Sequence, residues 1–331
     1  MQGEEDAVPD EALAFWLREP GVGQIRTEPL RAPAAGEVLV RTRYSGVSRA
    51  SEALVFRGGV PADQYDVMRA PFQDGDFPAP VKYGYLNVGV VQAGPDVLVG
   101  KTVFCLYPHQ TAYVVPADAV FVVPDDVPPQ RAVLAGTVET AVNALWDAAP
   151  LVGDRIAVVG AGMVGCAVAR LLTQIVGVAV TLVDIDPGRA ATAAALGVAF
   201  ALPGAAGGDC DLSIHTSGTS AGLQLALDLL GPEGSVIDLS WYGDADVRLS
   251  LGGAFHSSRL SIRSSQVGAV APARRRRRTP RQRMEFALQL LRDPAFDALI
   301  TGTCRFDELP DVFPALADGR LPALCHTVSY G

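Results

Sequence analysis

Arg155-Ile-Ala-Val-Val-Gly160-Ala161-Gly162-Met163-Val164-Gly165 is the stretch that decides the fold. It begins as a short, nearly continuous apolar run, the pattern of a strand buried on both faces of a parallel sheet. Gly160, Gly162 and Gly165, with Met163 and Val164 between them, then open a helix expected over Met163 to Val176. The glycines of such a triplet serve three mechanical ends, namely a tight turn, close backbone approach to a pyrophosphate, and close packing of helix on strand. The helix start adds unpaired N–H groups and the positive end of the helix dipole, both suited to phosphate. The next expected strand, Val178 to Asp184, ends in an acid 19 residues after Gly165. A carboxylate there accepts hydrogen bonds from a ribose diol and repels a 2′-phosphate. NAD is therefore expected ahead of NADP, with Arg189 offsetting part of the repulsion.

Working outward, a helix is expected over Gln130 to Ala149, and after Asp184 come Gly188 to Leu196 as helix and Asp211 to Thr216 as strand. Ser220 to Leu230 as helix and Ser235 to Ser240 as strand continue the alternation, which is that of βαβ units on a doubly wound parallel sheet. Before Pro129 the pattern is different. Glu37 to Tyr44 alternates apolar and polar, and Val88 to Ala93, Thr102 to Tyr107, Ala112 to Val115 and Val120 to Val123 are short apolar runs punctuated by Gly, Pro and Asp. Short strands so spaced suggest a small barrel, with brief helices at Arg49 to Phe56 and Ala62 to Arg69. From Thr279 onward a helix over Arg283 to Leu291 precedes strands near Leu299 to Phe306 and Leu324 to Tyr330. The chain is thus expected to divide as 1–128, 129–278 and 279–331.

Composition narrows the function. The 331 residues are 49% hydrophobic and 19% charged, which excludes a disordered protein and suits two domains. Five scattered cysteines share no short spacing, so a reducing compartment is expected rather than a disulfide scaffold. The first eleven residues carry Glu4, Glu5, Asp6, Asp10 and Glu11 and no apolar block, so no secretory signal and a cytoplasmic location are expected. No run approaches the roughly 20 apolar residues that span a bilayer. A net charge of -9 disfavours nucleic acid. The run Arg274 to Arg278, with Arg281 and Arg283 after it, reads as a solvated loop or as a basic rim for an anionic substrate, and no aromatic is interleaved as a nucleic-acid platform would require.

In this order of parts the chain resembles the medium-chain dehydrogenase/reductase superfamily over roughly Ala12 to Tyr330. The resemblance implies a GroES-like β-barrel catalytic domain completed by the C-terminal segment. It also implies a Rossmann domain between, an active site in the cleft joining the two, and a homodimer. Many members hold a catalytic zinc through a Cys, a His-Glu pair and a third Cys. Tyr44-Ser-Gly-Val-Ser48 resembles the first ligand segment with Ser48 for the cysteine, and Gly84-Tyr85-Leu86 resembles the Gly-His-Glu strand. Leu134-Ala-Gly136-Thr-Val-Glu139-Thr140 resembles the third-ligand helix with Gly136 for the cysteine. Neutral hydroxyls are poor zinc ligands, and Leu and Gly have no donor. With the four-cysteine lobe also missing, both zinc sites are expected to be lost. Cys105 and His109, four apart, are expected to be core thiol and loop imidazole rather than ligands.

Hydride transfer to a carbonyl needs the oxygen's charge stabilised and a proton moved. Tyr85 and Ser48 match former ligand positions and are candidates for stabilising the oxygen. Alternatively, Tyr85 is a wall aromatic and Ser48 a helix N-cap. His109 is either a proton relay or a surface histidine. By resemblance Arg49 contacts the pyrophosphate and Thr140 the nicotinamide, beside Glu139, which positions substrate or balances an arginine. Glu52 is a nearby acid, and Ser240-Trp241-Tyr242-Gly243 follows a strand end on the nucleotide side. The leading expectation is a zinc-independent NAD(H)-dependent alcohol dehydrogenase or ketone reductase. The Tyr44 to Ser48 segment, which is also similar to that of bacteriochlorophyll-pathway dehydrogenases, favours it. Its alternatives are an NAD(P)H-dependent enone or quinone reductase and a catalytically silent nucleotide-binding protein.

Overall fold

The structure is a computed structural model that describes residues 10–331; most of the acidic stretch used in the signal-peptide reading lies outside the described residues. Two compact units result, one of the described residues up to Gly136 with Ile300–Gly331, the other of Thr137–Leu299. The first unit opens with strands β1 (Glu11–Glu19) and β2 (Val22–Pro29), an antiparallel hairpin turning at Gly21 with φ +82°. Strand β3 (Glu37–Ser48) alternates only around Arg41 to Arg43, being continuously buried over Val38 to Val40 and Ser45 to Ser48, and leads into α1 (Ser51–Phe56). Ser48 is therefore the last residue of a strand, and Ala50 holds the helix N-cap position, so the N-cap reading of Ser48 does not apply. The helix expected over Ala62 to Arg69 reduces to one 3-10 turn, Ala62–Gln64, none of whose side chains is buried; without an apolar face to dock, so short a segment does not extend. Then follow β4 (Asp74–Gly75), β5 (Val81–Lys82), β6 (Asn87–Ala93), β7 (Thr102–Cys105), β8 (Ala112–Pro116) and β9 (Val120–Val122). The long helix expected from Gln130 is two, α2 (Pro129–Ala132) and α3 (Ala135–Ala148). Between them the Leu134 N–H closes a tighter turn onto the Arg131 carbonyl, burying both Val133 and Leu134 completely.

The second unit is built on β10 (Arg155–Val159), α4 (Met163–Leu172), β11 (Ala179–Val183), α5 (Arg189–Ala195), β12 (Ala199–Ala201) and β13 (Cys210–His215). It continues through α6 (Ser220–Asp228), β14 (Leu230–Asp238), α7 (Ala254–Ser257), β15 (Ser261–Ser264) and α8 (Pro280–Leu290). All six strands pair in parallel in the order β12-β11-β10-β13-β14-β15. That is the doubly wound order whose direction reverses between β10 and β13, and in such sheets ligands bind outside the carboxyl ends of the strands at that reversal. The apolar stretch 156–159 is buried as its composition requires.

The chain then returns to the first unit with β16 (Ile300–Arg305), α9 (Leu309–Ala317) and β17 (Cys325–Ser329). Residues 279–299, expected to belong with this return, group with the second unit instead. Two sheets make up the first unit. One is β2-β1-β5-β4; the other is β16-β17-β3-β6-β7-β9, with β8 also paired to β3. The antiparallel register of β17 on β3 sets Cys325 opposite Ser48 and Val328 opposite Ser45, which brings the C-terminal end to the site described next. Among the described residues no helix is long and apolar enough to cross a membrane.

Candidate functional site

The glycine turn between β10 and α4 is crowded at two of its glycines and open at the third. Gly160 has φ +107°, and a Cβ there would lie 2.7 Å from the Ser217 nitrogen. At Gly165 a Cβ would lie 1.9 Å from the Gly160 carbonyl oxygen, so any side chain would push α4 off the sheet. Gly162 has nothing within 4 Å of its Cβ position: the turn is open on that side. Asp184, at the end of β11, is half-buried, and its carboxylate accepts from the Ala161 N–H (2.6 Å) and the Asp186 N–H (2.9 Å). It is thereby fixed beside the turn with lone pairs to spare. Met163 is buried at the start of α4 and accepts from the Thr137 hydroxyl through its sulfur (3.4 Å), while Val164 is half-buried. Arg189 is committed to Asp186, Nε to Oδ2 at 3.3 Å.

In the first unit the structure joins residues that the sequence reading held apart. His109 is not at the surface: it is 1% exposed, clamped between Ser45 Oγ on Nδ1 (2.6 Å) and Glu52 Oε2 on Nε2 (2.8 Å). Ser45 Oγ continues to the Tyr330 hydroxyl at 2.8 Å. Glu52, 2% exposed, uses its other oxygen to accept from the Ser48 N–H (2.8 Å). Burial, with the Glu52 charge, pushes the Tyr85 phenol up to about 12, and the Ser48 and Ser51 hydroxyls beside it offset part of that rise. Tyr85 is thus a donor that keeps its proton through the physiological range. Glu52, noted from sequence only as a nearby acid, is the hub of this arrangement. Its place four residues after Ser48 at a helix start is the one signal that could have found it; Ser45 and Tyr330 gave none.

The positions that resemble zinc-ligand positions have a definite content. Leu86 is fully buried, its Cδ2 2.8 Å from the Cβ position of Gly136 and its Cδ1 3.3 Å from that of Gly46. Among the described residues no three His, Cys, Asp or Glu side chains gather into a metal site. Cys105 is a core thiol, raised to about 12 by burial, and both nitrogens of His109 are taken by other partners. Arg49 and Thr140 are both half-buried, Arg49 between β3 and α1 and Thr140 on α3. Glu139 balances Arg283 (Nε to Oε1, 3.0 Å), and both are buried. The arginine run divides accordingly: Arg274 to Arg278 form an exposed turn, Arg281 pairs with Glu285, and Arg283 turns inward.

No family model matches the sequence, and no curated protein matches it. Solved structures do match. An L-idonate 5-dehydrogenase from Escherichia coli K-12 superposes with a TM-score of 0.78 at 14% identity, over 97% of this chain and 98% of that one. A short chain alcohol dehydrogenase from E. coli CFT073, complexed with NADH, gives 0.76 at 18% identity, over 97% and 100%. A protein assigned as a zinc-binding dehydrogenase from Sinorhizobium meliloti 1021, bound to NADP, gives 0.76 at 16% identity, again over 97% and 100%. At such identities the likeness is one of fold: this chain has the two-unit fold of alcohol-dehydrogenase-type oxidoreductases.

Proposed function

We propose that this chain is a zinc-independent, NAD(H)-dependent oxidoreductase of the medium-chain dehydrogenase/reductase type that interconverts an alcohol and a ketone or aldehyde. The observation that carries the reading is the glycine turn, closed by sterics at Gly160 and Gly165, open at Gly162, and flanked by the fixed carboxylate of Asp184. A pyrophosphate fits the open side, on the unpaired N–H groups of the first turn of α4. Asp184 accepts from a ribose diol, which favours NAD over NADP. The two sheets of the first unit are read as a GroES-like barrel. NAD, when bound, takes or returns a hydride. The chain's own residues hold the oxygen and move the proton. Tyr85 donates to the substrate oxygen, positioned by Ser48 and Ser51, and Leu86 and Gly136 leave no donor set for zinc. Glu52 orients His109, and the His109–Ser45–Tyr330 chain conducts the proton.

The test is direct. NADH and NADPH are titrated against the purified protein, and secondary alcohols and ketones are screened for turnover with and without a chelator. Tighter binding of NADH and chelator-resistant turnover are expected. Failure to bind either nucleotide, or one zinc per chain with activity lost to chelation, overturns the reading.

A further inference from the structure

We propose that Ser217, His215 and Asp238 form a second reactive centre, in which Ser217 takes an acyl group from a small activated ester and passes it to water. The three residues stand at the carboxyl ends of β13 and β14, where His215 and Asp238 are direct partners in the parallel register. His215 is fully buried, with Nδ1 2.9 Å from Asp238 Oδ1 and Nε2 2.7 Å from Ser217 Oγ. Asp238 is itself pinned, accepting from the Ser240 N–H (2.9 Å) and the Tyr242 hydroxyl (2.8 Å). Burial pushes this carboxyl up, but the bonds from His215, Ser240 and Tyr242 outweigh it and hold the group below its ordinary range, as an anion.

That anion fixes the tautomer. Nδ1 carries the proton toward Asp238, so Nε2 is an acceptor and Ser217 must donate to it. The Thr219 hydroxyl, which accepts from the Gly222 N–H at 3.0 Å, completes the chain by donating to Ser217 Oγ at 3.0 Å. Nucleophile, base and orienting carboxylate therefore stand in the order and at the spacings that activate a serine. Gly222 makes this possible: a Cβ there would lie 2.0 Å from Ser217 Oγ and 3.0 Å from His215 Nε2. Ser217 and Asp238 are both half-buried, and the imidazole between them is enclosed. The Gly160 turn packs on the Ser217 backbone, so this centre adjoins the glycine turn.

The chemistry closes without any further reagent. Ser217 Oγ bonds to the carbonyl carbon as its proton passes to His215 Nε2. The ester C–O bond then breaks, and the departing alkoxide takes that proton and leaves as the alcohol. Water repeats the sequence: its proton goes to His215, its oxygen bonds to the acyl carbon, and Ser217 leaves with the proton restored, releasing the carboxylic acid.

The experiment is incubation of the full chain with p-nitrophenyl acetate in the absence of nucleotide, so that its outcome is separable from the NAD reading. A burst of p-nitrophenolate approaching one per chain is expected, with the acetyl group located on Ser217 by peptide mass spectrometry. Ser217→Ala should abolish the burst, and Asp238→Asn should slow it by about 100-fold or more through loss of the tautomer. Thermal melts of both variants check that they fold, and acetyl mapping on the unaltered protein needs no variant at all. An acetyl group found only on other side chains, or a burst unchanged in Ser217→Ala, overturns the proposal.

Discussion

Leu86 occupies with its two methyl groups the space around Gly46 and Gly136, and that single side chain changes the chemistry open to the first unit. In the proposed reaction, hydrocarbon at these positions would leave stabilisation of a developing negative charge to hydroxyl groups. Tyr85, beside Ser48 and Ser51, is the hydroxyl proposed for that role. Tyr85→Phe removes one hydroxyl and keeps the ring, and loss of one donor at an oxyanion costs about 100- to 1000-fold in rate. We therefore expect kcat to fall by that factor with NADH affinity unchanged. The direction of the pKa shift adds a check. A phenol held up to about 12 does not ionise between pH 6 and 10, so the pH–rate profile of Tyr85→Phe should keep the shape of the parent over that range. A limb that vanishes with the hydroxyl would show that Tyr85 titrates, against the role given to it. From the sequence, Ser48 and Tyr85 could be matched to motif positions, but the pairing of Glu52 with His109 spans 57 residues and has no local signature. It exists because β3 and the chain after β7 are drawn together in one sheet, which periodicity cannot reveal.

The strand β10, the turn and helix α4 were legible as a unit because each glycine answers a different steric demand, and those demands separate under mutation. At Gly165 a methyl group would meet the Gly160 carbonyl at 1.9 Å and the Thr216 hydroxyl at 2.6 Å, so Gly165→Ala must lift α4 from the sheet. Overpacking of this kind costs typically 1–3 kcal/mol, and both stability and NADH binding should fall. At Gly162 a methyl group meets nothing, so Gly162→Ala should melt like the parent yet bind NADH poorly, because the methyl takes the side left open for the pyrophosphate. Equal stability losses in the two variants would contradict the assignment. The link between α3 and α8 is a second case. Arg283 reaches Glu139, Asn143 (2.5 Å) and the carbonyls of Val267 and Ala269, tying the 267–271 loop to both helices. Arg283→Ala leaves a buried carboxylate without its cation and should cost about 3–5 kcal/mol in urea unfolding. Arg283→Met with Glu139→Leu removes both charges and should recover most of that loss. Sequence placed Arg283 with the exposed arginine run because adjacency was the only cue; the helix face that turns it inward appears only with the fold.

Across the molecule, the four inner strands of the parallel sheet were readable, since strands buried on both faces announce themselves as apolar runs, whereas the short, exposed edge strands β12 and β15 were not. The first unit was read less completely. The β1–β2 hairpin and α9 went unrecognised: β1 contains Glu, Ala and Leu, which favour helix in isolation, and only pairing with β2 and burial of Ala12, Ala14 and Leu17 make it a strand. The cysteines give the two-unit architecture a reporter. All five are buried and free, and Cys166 lies on α4 with no exposure, its thiol pushed up to about 12 by burial, an effect that Arg189 partly offsets. A folded pKa raised above the ordinary thiol value means that the stability tied to this proton is intact below pH 9 and is lost as pH rises toward 12. Labelling below pH 9 therefore reports opening of the second unit rather than ionisation of the folded thiol. If the α4 turn holds NADH, the nucleotide stabilises this unit by about 2.7 kcal/mol at 100 times its dissociation constant. The rate of Cys166 modification by a thiol reagent, followed by mass spectrometry, should then fall about 100-fold on adding NADH at that excess. Asp184→Ala should shrink the protection by weakening the ribose contact, whereas Tyr85→Phe should leave it intact. A Cys166 labelling rate indifferent to NADH would remove the nucleotide from the α4 turn and with it the redox reading of the chain.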